Sequence, residues 1–433
     1  MKTNPTIQIG ALSATLTCLL PSLATGGEKA ATVTPDLAAP LCEERLLGDV
    51  WGLRAPAETG IDFRMEASNF YFGVLDGSGG SDVSAGGKLD LFFDMDGQKA
   101  GLWPGLFVNV HGEFRYGDLT RQAGVLSPVN TALIAPREDG EVFALTNVTV
   151  TQALSESFLV TIGKFNTIDM ANKQYYGGGG TDKFMNLSFV AMPIGGRTFP
   201  ISPLGAIATY LKDGAPFINV GVLDADSPET RPGWDGLNAD ELTFFSNITF
   251  KSKLRDLDGT HTLTGVFSTI STNSLAQSDL IHPPSEGGLD PNTANNSWMV
   301  NYLWEQQLTQ DASDPTRGLG FFLFLGVSDS DPNPFAYSIA AGLVSKGVAS
   351  RSCDTFGVGL FFNGVSGELK DTLSDTPAPI PSLHLQDEFG GEIFYDLAIT
   401  PWFRVGADLQ VIQPVIEDHD TAIFGGLRTR IVF

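Results

Sequence analysis

Thr421-Ala-Ile-Phe-Gly-Gly-Leu-Arg-Thr-Arg-Ile-Val-Phe433 is the stretch of sequence that decides the fold. Its apolar side chains share one face and its two arginines share the other: Ile423, Leu427, Ile431 and Phe433 against Arg428 and Arg430. A period of two is that of a β-strand with one apolar and one polar face. An amphipathic strand that ends a chain on an aromatic residue is typical of bacterial outer-membrane barrels. The stretch therefore predicts a transmembrane β-barrel, in which lipid contacts every second residue.

The N-terminal residues have the features of an export signal. Lys2 precedes an apolar run from Ile7 to Leu20, and small residues follow up to Ala24. The run is shorter than a membrane span and is interrupted by polar residues, as in secretory signal peptides. We expect three parts: residues 1–24 as a signal peptide, residues 25–59 as a leader with a short periplasmic helix, and residues 60–433 as the barrel.

About sixteen segments alternate or are apolar over the length that a tilted strand needs to cross an outer membrane. We assign strands to residues 61–73, 86–96, 105–116, 141–154, 157–165, 205–212, 216–224, 241–253, 260–272, 296–308, 318–328, 335–345, 354–364, 388–398, 402–412 and 421–433. The predicted fold is all-β, an antiparallel up-and-down barrel. An even number of strands places both ends of the barrel domain in the periplasm.

The predicted connections differ in length. Tight turns such as Ser155-Glu156 and Thr400-Pro401 contrast with long loops, of which 166–204 is the longest. Bacterial barrels have short periplasmic turns and long outer loops. Residues 183–192 could form another strand, but an odd count would result, so we place them inside the 166–204 loop. Because loops of this length are usually functional, we expect this one to fold inward and narrow the lumen.

The face opposite the apolar face should line the lumen, because Arg or Lys in lipid at the midplane costs about 2–4 kcal/mol. The pore-lining candidates are Asp90, Asp94, Asn109, Glu113, Arg115, Glu392, Asp396, Arg404, Asp408, Gln410, Arg428 and Arg430. Arginines donate hydrogen bonds and carboxylates accept them, so this wall suits neutral polyols and discriminates weakly by charge. The alternative is that the charges pair across neighbouring strands and brace the wall. We expect the inward loop to meet this wall at Arg115, Arg404 and Arg428.

Aromatic side chains have two possible roles in such a barrel. Four tryptophans could stack on sugar rings or could form the girdles at the bilayer edges, and we favour the girdles for most of them: Trp103, Trp298, Trp304 and Trp402.

Composition narrows the partners. The formal net charge of −24 argues against nucleic acid, which selects basic faces. Cys42 and Cys353 remain after the expected cleavage, and an exported compartment permits a disulfide between them. Two separate thiols are the alternative, because the sequence does not place them near each other. Cysteine and histidine lack zinc-type spacing, so we expect no metal. The sequence has no phosphate-loop ending and no Gly-x-Ser-x-Gly elbow, so we also expect no cofactor and no enzymatic activity.

Short motifs are spread along the mature chain: Leu47–Arg54, Lys88–Leu91, Gly101–Gly105, Gly163–Thr167, Phe184–Asn186, Thr400–Trp402, Asp408–Gln410 and Gly425–Arg428. Together they resemble the OprB-like family of carbohydrate-selective porins. Val50 departs from the family pattern Asp-Trp-Gly-Gly-Leu-Arg in the first motif. The resemblance implies a passive diffusion channel for saccharides in the bacterial outer membrane. The expected partners are saccharide solutes, outer-membrane lipids, and a barrel-assembly machinery that reads Phe433. The oligomeric state stays open.

Three other functions remain open from the residues alone. The barrel could be a general or anion-selective porin, or an outer-membrane enzyme such as a lipase, with Ser and His brought together on the outer wall. It could also be a structural barrel plugged by the 166–204 loop. Conductance and sugar-dependent current block separate the channel functions from the rest.

Overall fold

Sixteen antiparallel strands close into a barrel in the computed structural model. They are β1 (Ile61–Asp76), β2 (Asp82–Asp96), β3 (Leu106–Gly117), β4 (Val142–Ser155), β5 (Phe158–Lys164), β6 (Leu204–Lys212), β7 (Ala215–Asp224), β8 (Leu242–Leu254), β9 (Leu257–Ser268), β12 (Ser297–Gln307), β13 (Gly318–Ser328), β14 (Phe335–Val348), β15 (Arg351–Val365), β16 (Glu388–Thr400), β17 (Phe403–Gln413) and β18 (Ala422–Val432). Two short strands, β10 (Thr272–Asn273) and β11 (Thr293–Ala294), form a separate sheet. Since β1 pairs with β18, the barrel is closed, and the predicted antiparallel barrel of about sixteen strands is confirmed.

The structure describes residues 42, 45–48, 53, 58–118, 120–136, 140–170, 175, 177–191, 193–231, 240–277, 292–312, 314–375 and 382–433. The expected signal peptide, residues 1–24, lies outside the described residues, as does most of the 25–59 leader. The described leader residues form bends and turns, so the periplasmic helix expected there is not confirmed.

Each predicted strand coincides with one barrel strand, and the strand ends differ by a few residues. The largest differences are of four residues: β9 ends at Ser268 instead of residue 272, and β2 begins at Asp82 instead of residue 86. Residues 81–87 contain Ser and Gly, so their side chains do not alternate. Their backbone nevertheless pairs with β1, for example Val74 with Asp82. Residues 183–192 add no strand in their described part, where Leu187–Val190 form a short helix, α2.

The two faces of the wall differ sharply in exposure. On β17, Leu409 is 42% exposed, whereas its neighbours Asp408 and Gln410 are 6% and 0% exposed. Trp298 and Trp304 lie on the outer face of β12, and Trp103 and Trp402 lie in turns between strands. These positions place all four tryptophans away from the lumen, as girdle residues are. No helix among the described residues has the length and apolar character needed to cross a membrane.

The two ends of the barrel carry different connections. Turns of two residues, such as 156–157, 213–214 and 349–350, lie at one end, here called the turn end. The long connections lie at the opposite end, the loop end: residues 118–141, 165–203, 225–241, 269–296 and 366–387. The last of these contains the helix α3 (Gly367–Ser374). This asymmetry is the one predicted from the sequence.

The leader is fastened to the wall near the turn end. Cys42 forms a disulfide with Cys353 of β15. Both terminal nitrogens of Arg45 contact the Asp62 carboxylate of β1, at 2.6 and 2.7 Å. The Leu46 amide donates to the Val432 carbonyl of β18. The described leader residues therefore contact the barrel rim from β15 to β1. Of the two arrangements considered for the cysteines, the structure has the disulfide.

Candidate functional site

All twelve predicted pore-lining residues occupy inward positions, on the face opposite the exposed apolar side chains. They fall into two groups on neighbouring strands. Five are on β2 and β3, and seven are on β16, β17 and β18, with β1 between the groups. Together they form one continuous inner surface, here called the charged wall (the inner face of β16–β18 and β1–β3). Whether this wall borders the path of a solute is a separate question.

Ion pairs occupy the β1–β3 part of the charged wall. The Lys88 ammonium lies 3.0 Å from an Asp90 oxygen and 2.7 Å from a Glu113 oxygen. The Arg430 guanidinium lies 2.7 Å from a carboxylate oxygen of Glu66. The predicted alternative, pairing across neighbouring strands, thus describes this part of the wall.

A histidine links this network to the loop that follows β5. The two ring nitrogens of His111 contact carboxylate oxygens of Asp90 and Asp169, at 2.9 and 2.6 Å. Asp169 belongs to the short helix α1 (Thr167–Met170) at the start of the 165–203 loop. Glu66 and Asp169 were missed by the sequence reasoning. Asp169 could not have been found, because a loop residue carries no alternation signal.

One cluster in this network has the composition of a metal site. Atoms of Asp90, His111 and Glu113 lie within 4.8 Å of one another. However, the Lys88 ammonium already contacts both carboxylates. Because a positive charge sits between the two acids, the geometry favours an ion-pair network over a metal centre.

Two loops enter the lumen and pack on the inner face. The 165–203 loop inserts Phe184, which stacks on Phe189 and meets the inward ring of Phe394 edge-on, at a centroid distance of 4.9 Å. Phe189 meets Phe361 of β15 in the same way. At Gly359 of β15, a Cβ atom would lie 2.6 Å from the Phe189 ring, so glycine leaves the space for it. The expected inward fold of this loop is therefore observed.

The 118–141 loop also folds inward, which the sequence analysis did not predict. Its Val125, Val129 and Leu133 belong to the same buried apolar cluster as Phe184 and Phe394. The two loops are bonded to each other: the Thr131 amide donates to the Met185 carbonyl, and the Leu187 amide donates to the Pro128 carbonyl, both at 2.8 Å. The loops therefore form one unit inside the barrel.

Two glutamates of β16 hold the two loops by their backbones. Glu392 accepts hydrogen bonds from the Met185 and Asn186 amides, at 2.5 and 2.9 Å. Glu388 accepts from the amides of Leu126 and Ser127, at 2.6 and 3.2 Å. Both glutamates are buried. Each carboxylate thus satisfies two backbone N–H groups that would otherwise be buried without a partner.

Other charged-wall residues complete this attachment. The side-chain amide of Gln410 donates to the Val129 carbonyl at 2.9 Å, and its oxygen accepts from the side-chain amide of Asn186. The Arg428 guanidinium donates to the Lys183 carbonyl. We call Glu388, Glu392, Gln410 and Arg428 the clamp. Glu388 was missed because the sequence analysis took only the later acids of its strand as inward.

The three arginines expected to meet the 165–203 loop have different partners. Arg428 contacts that loop as expected. Arg115 instead donates to the Pro136 carbonyl of the 118–141 loop, at 3.0 Å. Arg404 pairs with Asp396 and donates to the Cys353 carbonyl. The expectation was wrong for these two, because Arg115 faces the other loop and Arg404 lies close to the turn end of its strand.

Tyr175 of the 165–203 loop is buried inside the barrel. The Tyr175 amide donates to a carboxylate oxygen of Glu305 on β12, at 2.7 Å.

The opposite part of the inner face combines uncharged polar side chains with apolar ones such as Phe245 and Val266. On β4–β9, here called the neutral wall, threonines and asparagines bond across strands. The pairs are Thr151–Thr161 at 2.8 Å, Thr209–Asn219 at 2.6 Å, Asn219–Asn247 at 2.8 Å and Thr249–Thr262 at 3.0 Å. Among the described inward residues of these strands, charges appear only near the turn end, at Lys251, Lys253 and Asp258.

A cavity lies where the two walls meet, beneath α1. It holds about 510 Å³ of empty space, its solvent-filled mouth included. Its polar lining comes from β2, β3, β4, β5 and the 165–203 loop. The polar residues that line it are Asp94, Asn109, His111, Asn147, Thr149, Thr151, Thr161, Asn166 and Asp169. Only Asp94 and Asn109 of the twelve candidates line it. The remaining ten lie elsewhere on the charged wall.

Comparison with known proteins places these features in context. A family model described as the carbohydrate-selective porin, OprB family, matches residues 81–433. Porin B of Pseudomonas aeruginosa is 24% identical over 432 residues, covering 90% of this chain and 91% of that protein. The high-pH structure of Pseudomonas putida OprB superposes with a TM-score of 0.75 at 21% identity, covering 87% of this chain and 95% of that one. The low-pH structure of the same protein gives a TM-score of 0.55 at 17% identity, covering 90% and 99%.

Proposed function

We propose, from the premise that this chain belongs to the OprB family of carbohydrate-selective porins, that neutral saccharides cross it through the part of the lumen that the two inserted loops leave open. The chain is an outer-membrane porin with a closed barrel of sixteen strands. Its family and fold are those of a channel. No energy source is implied, so passage is passive diffusion.

The observation that carries this proposal is the division of the inner face. The 118–141 loop and residues 183–190 of the 165–203 loop are packed and hydrogen-bonded against β12–β18 and β1. A later part of the 165–203 loop packs on β6–β9, where Phe199 meets Phe245. The two loops leave a polar cavity on the side of β2–β5. A sugar that passes through a narrow lumen loses part of its bound water. Hydrogen-bonding groups on one side of the lumen can replace that water. Binding must stay weak, because a tightly held solute leaves slowly and blocks conduction.

The location follows from the family and the fold. The chain resides in the bacterial outer membrane, so the turn end is periplasmic and the loop end faces outward. The disulfide between Cys42 and Cys353 suits the oxidising periplasm. We include in the proposal that residues 1–24 are removed on export. N-terminal sequencing of the mature protein tests this, and a first residue near position 25 is expected.

Assembly in the membrane needs a recognition signal. We propose that the C-terminal strand supplies it to the barrel-assembly machinery, with Phe433 as the terminal aromatic residue. In support, the Phe433 amide donates to the Met65 carbonyl of β1 at 2.8 Å, at the seam where the barrel closes. Phe433→Ala should lower the amount of heat-modifiable barrel in outer-membrane fractions. An unchanged amount would remove Phe433 from the proposal.

A planar bilayer experiment tests the main proposal. Purified protein should give discrete ion currents that glucose reduces in a concentration-dependent manner. Liposomes containing the protein should swell in isotonic glucose. If saccharides of every size leave the current unchanged while phosphate blocks it, the protein is an anion-selective porin instead.

A further inference from the structure

We propose that the cavity between β2–β5 and α1 is the saccharide-binding site of this channel, and that it selects neutral sugars against anionic ones. This inference rests on the proposed function and deepens it. The sugar would bind where the charged wall and the neutral wall meet. The clamp residues of the charged wall would hold the two loops in place.

The polar lining of the cavity matches the hydroxyl groups of a sugar. Asparagine and threonine side chains can both donate and accept hydrogen bonds, as a sugar hydroxyl can. Asp94 adds carboxylate oxygens, one of which accepts from the Asn109 amide at 2.6 Å. Thr151 and Thr161 hold each other's hydroxyls at 2.8 Å, which fixes their side chains at the cavity wall. A concave site with a few convergent polar groups is the usual form of a small-molecule site.

The apolar part of the lining suits the C–H surface of a sugar ring. Phe165 and Met170 reach the cavity from the 165–203 loop. Phe92 reaches it from β2, between the His111 ring, at a centroid distance of 4.1 Å, and the Arg64 guanidinium, at 4.3 Å. The His111 ring and the Arg64 guanidinium already contact the Phe92 ring. Contact with a sugar is then limited in area, which agrees with weak binding.

The charge of the lining gives the selectivity. The lining contains the carboxylates of Asp94 and Asp169, and no lysine or arginine of the described chain belongs to it. The nearest cations of the charged wall are held by acids: Lys88 contacts Asp90 and Glu113, and the Arg64 guanidinium lies 3.2 Å from Glu66. An anionic sugar therefore meets the like charge of two carboxylates, which is unfavourable. His111, the one described residue of this lining that can carry a positive charge, is already held between Asp90 and Asp169.

Among the described residues, the clamp side directs its polar groups to the inserted loops. Glu388 and Glu392 are buried and accept hydrogen bonds from loop amides. Gln410 bonds to both loops. A sugar could reach these groups only by displacing the loops that narrow the lumen. Binding there would break the hydrogen bonds that hold the loops to the wall and keep the lumen narrow.

The first experiment uses a matched pair of double variants in the full-length porin. In Thr151→Val/Thr161→Val, two hydroxyls that line the cavity are replaced by methyl groups of similar shape. In Thr249→Val/Thr262→Val, a cross-strand hydroxyl pair of the same kind is removed outside the cavity. Glucose block of the ion current is measured for both. The cavity variant should bind glucose about five-fold more weakly, as expected for about one net hydrogen bond, while the control variant keeps the wild-type affinity.

The second experiment tests charge selectivity with glucose and its oxidised anion, gluconate. The wild-type porin should pass glucose faster than gluconate in flux measurements on liposomes, and Asp94→Asn should raise the ratio of gluconate flux to glucose flux. If glucose does not block or cross the wild-type channel, the proposed function itself fails. If glucose does so, but both double variants respond alike or gluconate passes as fast as glucose, the function stands and the assigned site is wrong.

Discussion

The charged wall and the neutral wall face the same lumen but use their polar groups differently. On the charged wall, Glu388 and Glu392 bind loop amides, and Lys88 binds two acids. On the neutral wall, threonines and asparagines bond mainly across strands, as Thr151 does with Thr161. A carboxyl group has two oxygens and can accept from two neighbouring backbone amides at once, as Glu392 does from Met185 and Asn186. The difference suggests that charges in a pore can serve to position the constriction, while neutral groups contact the solute.

The largest expected effect comes from breaking the clamp. Glu392→Leu leaves the Met185 and Asn186 amides without their acceptor, and each unsatisfied buried group costs about 1–3 kcal/mol. The 165–203 loop should leave the wall, so single-channel conductance should rise and glucose block should weaken. Glu392→Gln serves as the graded control, because its one amide oxygen can still accept, and it should fall between wild type and Glu392→Leu. Equal conductance in all three proteins would show that Glu392 does not hold the constriction.

The apolar anchor of the same loop should have a comparable but slightly smaller effect. Phe184 is fully buried among Phe189, Phe322 and Phe394, and truncation of such a residue to Ala costs about 3–5 kcal/mol. Phe184→Ala should raise conductance and hasten amide hydrogen exchange in the 177–191 segment. Phe389→Ala is the matched control, since Phe389 is 49% exposed on the outer face. The interpretation fails if the two variants give the same conductance and exchange.

Deletion of the Gly-rich part of the loop tests the constriction by another route. Removing residues 177–182 shortens the loop next to Lys183 and Phe184, which contact the wall. Conductance should rise, though less than in Glu392→Leu, because Glu392 still accepts from the Met185 and Asn186 amides. Conductance is compared in planar bilayers at the same salt concentration. Combining the deletion with Glu388→Gln should raise conductance further. No change on deletion would place this segment outside the constriction.

The smallest expected effect is that of the disulfide. Cys353→Ser releases the leader from β15, and loss of a disulfide typically lowers stability by about 2–4 kcal/mol. Because the bond lies at the turn end and the clamp does not involve it, glucose block should be nearly unchanged while the melting temperature falls. Cys42→Ser should behave identically, since it removes the same bond. A large change in glucose block would mean that the leader itself borders the solute path.

Much of the barrel was predictable because alternation is a local property of sequence. Arg428 and Glu392 were placed inward by their neighbours, and the structure agrees. Inward phenylalanines such as Phe322 and Phe394 were not predictable, because they contradict the rule that the inner face is polar. They are apolar because Phe184 and Phe189 cover them. The disulfide was also undecidable, since it requires two distant residues to have close Cα atoms, here at 5.0 Å.

A structure of the porin with glucose bound tests the central claim most directly. The channel would be crystallised or frozen at saturating glucose and compared with the sugar-free protein. We expect sugar density in the cavity beneath α1, with hydroxyl groups in hydrogen-bonding contact with Asp94, Asn109 or Thr149, and with Glu388 and Glu392 still holding both loops. Density for the sugar against Glu392, Gln410 and Arg428, with the loops displaced from them, would contradict the division of the inner face into a supporting side and a binding side.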